Sequence, residues 1–223
     1  MLWIEDSSNQ NYITKMNTFN WDLKIHIMKK SLIFLSCAIF CLTSIAQSSA
    51  DTSKHLSFKG VPIDGTLTEY VSKMKKSGFT HEGTNDGVAI LSGEFASYKD
   101  CYIGVSTLKK IDLVNKIVVI FQDRDNWSSL SSNYYDLKDL LTIKYGKPSR
   151  EVEEFQGYTP RDDSGKFTAV RLDRCKYITV FETEKGEIRL TIANDGVARC
   201  YVTLSYIDKI NSEEVKKQAL DDL

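Results

Sequence analysis

The sequence predicts an α+β protein made of two related halves, each a helix followed by antiparallel strands, with the helices on one face of mostly antiparallel sheet. Three observations predict it. The order helix, glycine, strands occurs twice, over 47–124 and over 125–223. Ile188, Leu190 and Ile192 alternate with Arg189, Thr191 and Ala193, the period of a strand with one buried and one wetter face. Asp86-Gly87, Lys185-Gly186 and Asp195-Gly196 supply tight turns, since glycine takes positive φ without steric cost.

The chain opens on something else. Met28-Lys29-Lys30 precedes SLIFLSCAIFCLTSIA at 31–46, two lysines and a compact apolar run that ends on the small residues Ser44 and Ala46. That pattern predicts a secretory signal, cut between Ala46 and Gln47. The run of 16 residues is shorter than the roughly 20 that span a bilayer as a helix, so no stable membrane anchor is expected after cleavage. The product is expected to be periplasmic or secreted. Cys37 and Cys41 lack the small-residue context of a lipid-attachment cysteine and read as members of the apolar run. Glu5, Asp6 and Asp22 put negative charge where an export signal needs none, so 1–27 reads as a disordered, over-extended start, with translation from Met28.

In the first half, His55–Lys59 reads as a short edge strand. Thr66-Leu67-Thr68-Glu69 has capping-box spacing, and Leu67, Tyr70, Val71 and Met74 fall on one helical face that stops at Gly78. Strands are expected at Thr80–Glu82, Val88–Ala96, Asp100–Lys109 and Asp112–Phe121. Ile117–Phe121 is apolar at every position, as in a strand covered on both sides.

The second half starts with caps at Asp125-Asn126. Leu130, Tyr134, Leu137, Leu141 and Tyr145 trace a helical stripe that Gly146 and Pro148 close. Strands are expected at Glu151–Phe155, Phe167–Asp173, Lys176–Thr183, Glu187–Ala193 and Ala198–Ile207, with Asp162-Asp163-Ser164-Gly165 as a mobile loop between the first two. A last helix is expected over Ser212–Leu220.

The run from Trp127 to Pro148 (W-x2-L-x3-Y-Y-x-L-x2-L-L-x3-YGKP), FKGVPIDGTL at 58–67 and the terminal QALDDL together resemble an uncharacterised group of small secreted bacterial proteins. The resemblance spans nearly all of 47–223 and implies no activity, substrate or catalytic residue. The helix-plus-four-strand unit is also similar to the repeat of beta-lactamase-inhibitor-like folds, a likeness of architecture alone.

Residues 47–223 carry 25 basic and 27 acidic side chains, which gives no cationic excess for nucleic acid. His55 and His81 are the only histidines there and no metal-ligand spacing surrounds them, so no metal or cofactor is expected. Cys175 lies between Arg174 and Lys176, cations that lower a thiol pKa, yet neighbours on a strand point away from one another. Cys101 and Cys175 begin comparable strands in the two halves, and a twofold relation would let them form a disulfide. Asp123-Arg124-Asp125 reads as cation ligands or, more simply, as helix capping. Tyr98, Trp127 and Tyr158 sit beside turns, where aromatic rings stack on sugars or peptides.

Without a convergent catalytic set, the leading expectation is an exported, non-catalytic module that binds a protein or glycan of the bacterial envelope. The alternative is a hydrolase of envelope or dietary polymers, with Glu151, Glu153 or Asp163 in acid-base roles. Mass spectrometry of the purified exported product should show residue 47 as its first; peptides reaching back to Met1 would overturn the leader assignment.

Overall fold

Thr66 caps the first helix as its spacing predicts. Its Oγ1 accepts from the Glu69 N–H at 3.3 Å, and the Glu69 carboxylate accepts from the Thr66 N–H at 3.1 Å. This helix, α1, spans Leu67–Lys76 and buries Leu67, Tyr70, Val71 and Met74. The structure, a computed structural model, describes residues 53–108, 111–196 and 199–221. The expected leader and its expected Ala46–Gln47 cleavage point lie outside the described residues.

Before α1, β1 (Ser57–Phe58) pairs with β2 (Val61–Pro62) as a small hairpin. After it come β3 (Thr80–Asn85), β4 (Val88–Phe95), β5 (Tyr98–Leu108) and β6 (Ile111–Ile120). Helix α2 (Trp127–Tyr145) follows, capped by Asn126, whose side chain accepts from the Ser129 N–H at 2.8 Å. The remainder is β7 (Arg150–Phe155), α3 (Asp163–Arg171), β8 (Cys175–Thr183), β9 (Gly186–Asn194), β10 (Cys200–Asp208) and α4 (Lys209–Asp221). The chain is therefore α+β, with four helices among the described residues and one large antiparallel sheet.

That sheet has eight strands in the order β3-β4-β5-β6-β10-β9-β8-β7. Two four-stranded meanders meet at β6 and β10, where Ile117 faces Tyr206 and Val119 faces Leu204. The register carries across this seam. Leu91, Ile103, Val119, Leu204, Leu190, Thr179 and Glu151 form one row across seven strands. Directly opposed residues share a face, so the apolar members of this row join one core. The core also takes in α1, Trp127, Leu130, Tyr134, Leu137 and Leu141 of α2, and Val170 of α3.

The segment ahead of α1 belongs to this core. Phe58 is fully buried and packs against Phe95 and Tyr206, with ring centroids 5.2 Å away in each case. One buried carboxylate ties it down. Asp208 accepts from the Leu56 N–H at 2.8 Å and the Asn211 N–H at 2.9 Å, and its Oδ1 lies 3.1 Å from His55 Nδ1. Asn211 in turn donates to the Ile63 and Val114 carbonyls at 3.0 and 2.8 Å. Asp208 thus ends β10, caps α4 and anchors the N-terminal segment together.

Close approach decides one glycine. A Cβ on Gly186 would lie 2.1 Å from the Ile207 carbonyl oxygen, so the turn into β9 admits no side chain. At the β4–β5 turn, by contrast, Ala96 and Ser97 both take positive φ, 50° and 67°, which costs on the order of 1 kcal/mol each.

Two expectations are corrected. Phe167–Asp173 is not a strand and 162–165 is not a loop, because both fall in or at the cap of α3. Asp162 Oδ1 accepts from the Gly165 N–H at 2.7 Å, and the helical i to i+4 bonds run from the Lys166 N–H to the Asp162 carbonyl and from the Leu172 N–H to the Thr168 carbonyl. The Cys101–Cys175 disulfide is also absent, all three described cysteines being free and buried. Cys101 is on β5 and Cys175 on β8, four strand spacings or about 19 Å apart, against the roughly 7 Å limit between bridged Cα atoms. The two meanders meet at β6 and β10, so Cys101 and Cys175 lie on opposite sides of the seam.

Asp208→Ala is expected to lower stability by about 3 kcal/mol, since it orphans two buried N–H groups. Urea unfolding measures the loss, and limited proteolysis of the variant should cut first within 53–64.

Candidate functional site

The register brings the two glutamates singled out on β7 together. Glu151 lies opposite Thr179 and Glu153 opposite Tyr177, so both leave one face of the strand toward α2. There Lys138 holds them, its Nζ 2.5 Å from Glu151 Oε1 and 2.7 Å from Glu153 Oε1. Tyr135 donates to Glu153 Oε2 at 2.9 Å. Behind this polar corner Tyr134 shares a 2.6 Å hydrogen bond with the Thr179 hydroxyl, and Tyr177 packs edge-on against Trp127 at 5.2 Å and Tyr134 at 5.6 Å.

Partial burial alone would pull the Lys138 pKa down, but its bonds to Glu151 and Glu153 win and hold it above the ordinary value. Burial, then the bond to Glu153, pushes the Tyr135 phenol well above its usual range, so it stays a neutral donor. The lysine thus remains charged across the neutral range. An acid-base pair acting on a polymer needs the gap between its carboxyl groups for the scissile bond. Here the Lys138 ammonium fills that gap.

The other singled-out residues lie elsewhere. Asp163 is in the first turn of α3, 59% exposed and 3.8 Å from Lys166. Asp125 accepts from the Asn126 side chain at 2.7 Å, which supports the α2 cap. His55 belongs to the Asp208 anchor, and exposed His81 on β3 has Nε2 2.9 Å from Thr84 Oγ1. Burial pushes the Cys175 thiol up to about 12, and Cys101 and Cys200 to about 11, which opposes a nucleophilic role at neutral pH. Trp127 and Tyr98 are core packing, against Phe155 and Phe121 respectively. Tyr158 alone of these rings stands in solvent, 77% exposed in the loop between β7 and α3. No family model, curated protein or solved structure matches the chain.

A second surface follows from the same register. The row Ser92, Tyr102, Ile120, Thr203, Thr191, Ile178 and Val152 crosses the sheet on the side opposite the core row. Thr203 at its centre is buried, as is Val118 in the next row on the same face, while Tyr102, Ile120, Thr191 and Ile178 are partly exposed. Arg189 on this face is held by Glu187 at 2.7 Å. Hydroxyls, an aromatic ring and short aliphatic groups make this face amphipathic, with polar atoms to orient a ligand and apolar area to bury against it.

Nothing in the sequence pattern marks Lys138 and Tyr135, because the apolar stripe of α2 runs through Tyr134 and Leu137 and leaves their neighbours outside it. The alternate glutamates Glu151 and Glu153 were the available signal, since two carboxylates on one strand face invite a cation from whatever packs there.

Lys138→Met is expected to lower stability by about 1 kcal/mol at pH 7, a small value because Glu151 is well exposed. With its folded pKa raised, Lys138 stabilises fully below its ordinary value of 10.5, and that contribution is lost as pH rises through the folded value. Urea unfolding of both proteins from pH 7 upward should therefore show the difference closing at the alkaline end. A difference that stays constant would mean that Lys138 acts through packing alone.

Proposed function

We propose that this chain is an exported, non-catalytic binding module whose second sheet face receives a protein or glycan of the bacterial envelope. Export rests on the leader at 28–46, and release into the periplasm or medium on its shortness. The observation that carries the binding role is the row of paired residues that crosses seven strands and puts Tyr102, Thr191 and Ile178 on one surface opposite the core row.

In this reading the two meanders are related halves. The strand order supports it, because β3-β4-β5-β6 and β7-β8-β9-β10 run from edge to seam in the same sequence, each preceded by a helix. The helices then gather on the core face and leave the other for a partner. Contacts of α2 with Thr179, Glu151 and Glu153 support that placement, as does the membership of α1, α2 and α3 in a single core. A broad sheet face lends itself to a large partner, since a specific protein interface covers about 800 Å² on each side.

The test compares three forms of the 47–223 chain on envelope extract: the parent, Ile178→Arg/Thr191→Arg on the face, and Ile143→Arg on the outer side of α2. A partner held at stoichiometric level by the parent and Ile143→Arg, and at least 10-fold more weakly by the face variant, is the expected outcome. Equal retention by all three would refute the face as the binding surface. Release of soluble fragments from envelope polymer, abolished by Glu153→Gln, would refute the non-catalytic role.

A further inference from the structure

We draw no further inference here: the strongest candidate, the sheet face around Tyr102, Ile178 and Thr191, belongs to the surface already proposed for binding, and nothing in the structure shows what covers it.

Discussion

The pairing of β6 with β10 is the constraint on which the rest of the molecule depends. Each strand ends a four-stranded meander, and alone each would present an open edge of unpaired N–H and C=O groups. Joined antiparallel, with Ile117 on Tyr206 and Val119 on Leu204, they turn two small sheets into one. All four side chains are at most 4% exposed. Fully burying an aliphatic or aromatic side chain contributes about 1.5 to 3 kcal/mol, so this seam outweighs any single polar contact described above. It also fixes everything at a distance, because register is transmitted strand by strand. Glu151 meets Lys138 since its row begins at Leu91 and passes through Val119.

Polar contacts then decide details that burial leaves open. Asp208 has no freedom to sit elsewhere, for three groups need its two oxygens at once: the Leu56 N–H and the His55 ring of the N-terminal segment, and the Asn211 N–H at the start of α4. A buried carboxylate costs several kcal/mol to desolvate, and only a full set of hydrogen bonds offsets that. Its value lies in specificity, as it locks 53–64 over the core so that Phe58 reaches Phe95 and Tyr206. The Lys138 corner is a weaker device at the surface. It ties edge strand β7 to α2, and with Glu151 and Glu153 makes that edge charged, which discourages association with a second sheet. The same ammonium occupies the gap an acid-base pair would need, and this favours binding over hydrolysis as the proposed role.

Local chemistry was legible where it was self-contained. The Thr66–Glu69 capping box, the α2 stripe from Leu130 to Leu141, the β9 alternation and the turn at Gly186 each involve neighbours in sequence and appear where the pattern puts them. Helix α3 was not legible. Phe167 to Leu172 is short and apolar enough to read as a strand, and the one local signal of a helix is the cap at Asp162. Strand order was hidden for a different reason. Whether the two meanders join into one sheet, and at which strands, is a property of long-range packing, and the expected Cys101–Cys175 bridge failed because one continuous sheet sets β5 and β8 four strand spacings apart. Lys138 likewise becomes visible only when β7 and α2 are known to touch.

Native-state hydrogen exchange, followed amide by amide, tests the role of the seam most directly. Amides of 117–120 and 203–207 should exchange only through complete unfolding, at one shared free energy. If β3–β6 and β7–β10 instead open separately, or if the seam exchanges before the outer strands, the sheet is not held together from its middle and the account is wrong.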